Sequence, residues 1–113
     1  MSEGFMPNKV SNSGGLHKDE GKLRLDLVPP EAIEAMASIL TYGAGKYEER
    51  NWEKGIAYSR IYASAMRHLL AWWQGKDIDP ESGLPAIEHA LWNIMALVTY
   101  ERRRMKHLDN RRR

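Results

Sequence analysis

The sequence predicts an all-α fold, a small bundle of about three main helices with an extended N-terminal arm, intertwined in a homo-oligomer. Three runs carry apolar residues at helical spacing, opening near Pro30, Ser59 and Pro85. Prolines and glycines separate them. A single alternating run, Lys22 to Val28, has no second strand to pair with in the same chain. At 113 residues the chain is one small domain, and association of subunits adds the apolar burial that a domain of this size lacks.

Residues 1–21 are rich in Gly, Ser, Asn and charge and read as a flexible arm. In KLRLDLV, strict alternation places Leu23, Leu25 and Leu27 on one face and Lys22, Arg24 and Asp26 on the other, the pattern of a half-buried extended segment. It lies across a helical core or pairs with its copy in another subunit. Pro29-Pro30 stops that segment and opens the first helix, whose apolar face is Ile33, Met36, Ala37 and Leu40 and which fades by Gly43. Ser59 caps the second helix, which buries Ile61, Ala65, Leu69 and Trp72 and ends at Gly75. The third runs from Pro85 to about Lys106, with Ile87, Ala90, Leu91, Ile94, Leu97 and Val98 on a broad apolar face. A single domain at 22–106 and a basic tail at 107–113 complete the organisation.

No cysteine is present, so disulfides and thiolate metal ligands are excluded and any metal falls to carboxylates, histidines or carbonyls. No apolar run approaches a membrane span, which places the protein in the cytoplasm. The net charge of +2 is uneven: the basic residues after Glu101 outweigh Asp109, leaving the body acidic. A frayed, solvated helix end accounts for that tail more simply than nucleic-acid binding does, since cations favour a helix C-terminus and the body has no basic stripe.

Between the second and third helices, GKDIDPESGLPAIE carries Asp77, Asp79, Glu81 and Glu88. The acids fall near an EF-hand spacing, but Ser82 stands where that loop needs glycine, and Pro80 and Pro85 restrict its wrapping. Two readings remain: a plain acidic turn, or a site where Asp77, Asp79 and Glu81 hold Mg²⁺ with a phosphate. His68 precedes the loop by one to two turns, and His89 and Asn93 share a face of the third helix. Such polar groups among apolar ones are either satisfied internally or meet a ligand. A second candidate is YGAGKYEERNW. Its Gly45-Lys46 lacks P-loop spacing, yet Lys46 and Arg50 suit phosphates, as do Lys22 and Arg24 on the arm, while Tyr47 and Trp52 suit a base. The plainer alternative makes Trp52 a core plug, and makes Trp72, Trp73 and Trp92 core and interface aromatics.

Taken together, Arg24-Leu25-Asp26-Leu27 with Pro29-Pro30, Gly43 with Lys46-Tyr47, Asn51-Trp52, Arg67-His68, Trp72, Gly75, Asp77 to Gly83 and His89 resemble a phage family. It is the dATP/dGTP diphosphohydrolase N-terminal domain family, related to MazG-like nucleotide pyrophosphohydrolases. The resemblance spans residues 22–101. It implies an all-α, oligomeric phage protein of the infected host's cytoplasm that handles purine deoxynucleotides, releasing pyrophosphate with Mg²⁺. It adds Asn51, Arg67 and Trp72 to the nucleotide-binding candidates. The chain departs from the MazG-like ExxE and ExxD pattern, because Glu31 and Glu34 sit in a first helical turn and Leu91 stands three residues after Glu88. No His-Asp pair of the HD type occurs either.

Two functions follow as expectations. In hydrolysis, Asp77, Asp79 and Glu81 hold Mg²⁺, His68 or His89 orients the water or takes its proton, and Asn93 fixes a histidine or the sugar. In sequestration, a small-molecule nucleotide signal of the cyclic or ADP-ribose type is held intact to counter host defence, with no metal.

Overall fold

The computed structural model describes residues 14–18 and 20–113, so most of the expected arm at 1–21 lies outside the described residues. Three helices make up the domain: α1 (Pro30–Lys46), α2 (Tyr58–Trp73) and α3 (Ala86–Arg102). Short 3-10 turns occupy Leu25–Leu27, Asn51–Lys54 and Lys106–Leu108. No strand occurs among the described residues; one antiparallel bridge, Ile78 to Pro85, closes the α2–α3 loop. The fold is all-α, as the helical periodicities predict.

α2 and α3 run antiparallel and form the main layer. Tyr58 stacks on Tyr100 at one end, Ser64 meets Asn93 midway and His68 stacks on His89 near the other. α1 packs across α3. The core gathers Tyr58, Ile61, Ala96, Tyr100 and Leu108, with Trp52, Ile56 and Trp92 packed against it. Tyr100 is fully buried, and its hydroxyl donates to the Trp52 carbonyl at 2.6 Å, which satisfies a polar group that would be costly to bury unpaired. This bond ties the 47–57 connection to α3.

Several local expectations are corrected. KLRLDLV is not extended and half-buried: Leu25–Leu27 form a 3-10 turn, and Leu23, Leu25 and Leu27 are all exposed. A bidentate ion pair between Arg24 and Asp26, two residues apart, favours a turn over an alternating strand. α1 does not fade at Gly43 but continues to Lys46, where Lys46 and Tyr42 reach Glu81 of the α2–α3 loop. These tertiary contacts outweigh the roughly 1 kcal/mol that each glycine costs a helix interior. The buried residue of α1 is Ile39, while Ile33 and Ala37 are exposed.

α2 ends as expected. Gly75 has φ +84°, and Lys76 and Gly75 donate to the carbonyls of Ala71 and Trp72, a Schellman arrangement that a side chain with a Cβ rarely adopts. The other end differs. The helix begins at Tyr58, and Ser59 does not cap it; the Asn110 side chain accepts from the Ser59 N–H at 3.0 Å and donates to its hydroxyl at 2.9 Å. The expected frayed end of α3 is likewise absent. The helix stops at Arg102, Arg104 takes the left-handed conformation (φ 57°), and the chain folds back to bury Leu108 beside Gly55.

α3 presents a different face from the one its large apolar residues predict. Ala86, His89, Ala90, Asn93, Ala96 and Tyr100 are buried, whereas Ile87, Leu91, Ile94 and Val98 are exposed. Small residues let α2 approach closely, and the polar pair His89 and Asn93 is turned toward the site.

Candidate nucleotide site

A cleft of about 1010 Å³ opens between α1 and the α2–α3 layer. The end of α1 and the loop after it supply Tyr42, Lys46, Tyr47, Arg50 and Asn51; Trp52 follows on the 3-10 turn. α2 contributes Ser64, Arg67 and His68, which share a face through i, i+3 and i+4 spacing. α3 contributes His89, Trp92 and Asn93, and the α2–α3 loop contributes Asp79 and Glu81. Of the sequence candidates, Arg24, Trp72 and Asp77 do not line this cleft. Arg24 is engaged with Asp26, and Trp72 lies beside Trp73 at the end of α2.

At the inner end is a relay. Asp79 Oδ2 accepts from the Ser82 N–H at 2.9 Å and from the Ser82 hydroxyl at 2.8 Å, and Ser82 Oγ lies 2.7 Å from His89 Nε2. A carboxylate only accepts, so the single hydroxyl hydrogen points at Asp79 and His89 donates its Nε2–H to Ser82. Burial raises the Asp79 carboxyl, but the two Ser82 hydrogen bonds, with His89 and His68 nearby, outweigh it and hold the group below the usual carboxylate range. With Nε2 as donor, Nδ1 of a neutral His89 is left as an acceptor.

His68 lies flat on His89, with ring centroids 4.6 Å apart. Burial lowers its pKa from the ordinary 6.5, and His89 and Arg67 lower it further against the opposing pull of Asp79. At neutral pH it is an unprotonated imidazole on the wall of the cleft. Asn93 is 1% exposed and accepts a 3.4 Å hydrogen bond from Ser64.

At the outer end, Lys46 is paired with Glu81, whose hydrogen bond raises the Lys46 pKa well above its ordinary value. Tyr42 also donates to Glu81, at 3.4 Å. Arg50 sits in the left-handed region (φ 59°, ψ 21°), a conformation rare outside glycine that concentrates at functional sites. It pairs with Glu53, which also binds Arg103 at 2.8 Å. Arg67 lines the cleft and has no ion-pair partner among the described residues. The cleft thus carries four cationic side chains, Lys46, Arg50, Arg67 and Arg103, among the carboxylates of Glu48, Glu49, Glu53, Asp79 and Glu81, with the π-faces of Tyr47 and Trp52 and the stacked His68 and His89 rings.

Asp77, Asp79 and Glu81 do not converge on a metal ion. The Asp79 carboxylate is engaged by Ser82 and that of Glu81 by Lys46, and Asp77 does not line the cleft. Among the described residues no group of three His, Asp or Glu is placed to hold a metal. The three acids expected to hold Mg²⁺ are not gathered into a preformed metal site. Ser82 and Tyr42 are the site residues that sequence reasoning missed. The Asp-Pro-x-Ser run, a turn signature in which Asp bonds to backbone two or three residues on, was the available signal for Ser82.

The domain is all-α, and its cleft gathers basic and acidic side chains, aromatic faces and a stacked imidazole pair. This chain belongs to the family described as dATP/dGTP diphosphohydrolase, N-terminal, whose model matches residues 12–111. It is similar to a protein named dATP/dGTP diphosphohydrolase from Salmonella phage PMBT28, with 35% identity over 81 residues. That match covers 72% of this chain but 28% of the relative, so the chain spans less than a third of that protein's length. No solved structure matches it. Among the described residues no helix is long and apolar enough to cross a membrane.

Proposed function

We propose that the chain binds a purine deoxynucleoside triphosphate in this cleft and takes part in its hydrolysis to monophosphate and pyrophosphate. The observation that carries the reading is the convergence of Lys46, Arg50 and Arg67 with Tyr47, Trp52 and the His68–His89 pair in one cleft. The description of the family and the name of the phage relative support the substrate class. The three cations neutralise phosphate charge, and an aromatic face stacks on the base. In hydrolysis, water attacks the α-phosphorus as the bond to the bridging oxygen breaks. Neutral His68 takes the proton from the water, and the cations receive the charge on the departing pyrophosphate. Burial, and next the proximity of His89, which Ser82 and Asp79 orient, disfavour a charge on His68.

One observation favours a second reading, in which the nucleotide is held intact as a sequestered signal. Asp79 and Glu81 are already engaged by Ser82 and Lys46 rather than turned together toward the phosphates. Incubation with dATP, dGTP, ATP, cyclic dinucleotides and ADP-ribose-type compounds, with Mg²⁺ and with EDTA, followed by mass spectrometry of free and heat-released fractions, separates the two. Monophosphate and pyrophosphate identify the hydrolase, and Mg²⁺ dependence is read from the EDTA arm. Intact nucleotide recovered only on heating identifies the sequestering protein, and no retained or converted nucleotide sinks both.

A further inference from the structure

The C-terminal segment closes into a basic lobe at one end of the bundle. Arg111 returns to within 3.7 Å of Glu101, so residues 102–110 form a closed loop beyond α3. Asn110 docks on Ser59 through its 3.0 Å and 2.9 Å hydrogen bonds, which brings Arg60 of α2 beside that loop. Leu108 is buried beside Gly55, and the Arg111 guanidinium lies over Tyr58, 5.7 Å from the ring centroid. The cations are therefore carried on a folded segment, and a frayed helix end no longer accounts for them.

Carboxylates do not neutralise the lobe. Asp109 engages Arg111 and Arg113, Glu101 meets Arg111 and the Tyr58 hydroxyl, and Glu53 takes Arg103. Arg60, Arg102, Arg104, Lys106 and Arg112 are exposed, and none of their side chains has a hydrogen-bond or ion-pair partner among the described residues. Two of them sit where folding alone disfavours them. Arg60 lies in the first turn of α2, at the positive end of the helix dipole. Arg104 holds φ 57° just past α3, a left-handed position where glycine costs less. Residues kept against local preference concentrate where a ligand is met. We propose that this lobe binds the phosphate backbone of double-stranded DNA without reading its sequence.

The chemistry of the lobe selects that partner. Guanidinium groups dominate, and their planar forks match phosphate oxygens. A DNA duplex presents one charge per about 1.7 Å of its axis, and neutralising those charges releases counterions. Residues 101–113 contain no Phe, Tyr or Trp to stack on unpaired bases. Leu108 is buried and Met105 half-buried, so this segment offers no exposed apolar side chain to a bilayer. Asn110, a neutral group able to read a ribose 2′-hydroxyl, is already committed to Ser59. None of the five unpaired cations lines the cleft, so the proposal does not depend on what the cleft binds.

The test is fluorescence anisotropy of a labelled, random-sequence DNA duplex titrated with the whole chain. The expected result is saturable binding at about 50 mM salt that weakens about a hundredfold by about 200 mM. Arg104→Gly and Lys106→Gln each weaken it about tenfold at the lower salt and reduce the salt slope by about one. Arg104→Gly does so with thermal stability kept or raised, because glycine suits that backbone, so lost binding is not lost folding. Lys76→Gln removes an exposed charge just past the other end of α2 and leaves the affinity within about twofold. Absence of binding at about 50 mM salt overturns the proposal, as does binding that Arg104→Gly and Lys106→Gln leave at the wild-type level. So does tighter binding of single-stranded DNA, duplex RNA or anionic lipid vesicles than of duplex DNA.

Discussion

The stacked His68 and His89 set the chemistry of the cleft at the scale of single residues. His68 has a folded pKa below its ordinary 6.5, with burial the largest cause. A depressed pKa means that the neutral form is favoured by folding. The stability this contributes is fully present above the unfolded pKa and is lost as pH falls through 6.5 and the lower folded value. Urea unfolding of the wild type should therefore show a midpoint that drops between about pH 7 and pH 5. His68→Gln should flatten that part of the profile, and an unchanged slope would mean that His68 titrates as freely as in the unfolded chain. Ser82 is the other decisive residue. In Ser82→Ala, Asp79 loses a hydroxyl donor and His89 Nε2 loses its acceptor, at an expected cost of about 1–3 kcal/mol in denaturant unfolding. A loss under a few tenths of a kcal/mol would show that the relay is not held in solution.

At the scale of elements, connections rather than helix interiors position the site. The 47–57 segment is fixed by the Tyr100 hydroxyl, and the start of α2 by Asn110, far away in sequence. Asn110→Ala removes an acceptor from a first-turn N–H and should cost about 1 kcal/mol in thermal or urea unfolding, the usual value of a lost cap. Gly55→Ala should cost of order 1–3 kcal/mol, because Gly55 has φ +110° and an added Cβ lies 3.1 Å from Leu108. An unchanged melting temperature for Gly55→Ala would show that Leu108 does not seat there. These elements also show what was legible in advance. The three helices, the Gly75 stop and the proline starts could be read because period, glycine and proline are local signals. The cap on α2 could not, because its acceptor lies 51 residues downstream. KLRLDLV misled because alternation is a weak signal over so few residues, and an Arg–Asp pair two residues apart closes a turn as readily. The buried face of α3 misled for a different reason: periodicity finds the large apolar stripe of a helix, whereas α2 packs closely on the face carrying Ala86, Ala90 and Ala96.

At the scale of the whole molecule, one helical bundle has a cleft between α1 and the α2–α3 layer and a basic lobe where α3 stops. The cleft draws on residues from Ala37 to Arg103, and the sequence brought its main polar residues forward as separate groups: a basic aromatic loop, a histidine pair and an acidic turn. What composition could not show was their pairing. Two of the three acids read as metal ligands are engaged by neighbours, Asp79 in holding Ser82 beside His89, and Glu81 in tying Lys46 and Tyr42. The division of the molecule also predicts that the two regions act independently, with Arg104→Gly and Lys106→Gln leaving nucleotide affinity within about threefold. The most direct measurement of the central claim is titration calorimetry of the chain with dATP and dGTP, comparing wild type with Arg67→Ala, Lys46→Ala and the tail variant Arg112→Ala. Saturable binding that weakens about tenfold or more in each cleft variant, as expected for a lost charged hydrogen bond, and that Arg112→Ala leaves unchanged is the predicted result. No binding of either nucleotide, or binding that Arg112→Ala abolishes while both cleft variants match wild type, would contradict the cleft as the nucleotide site.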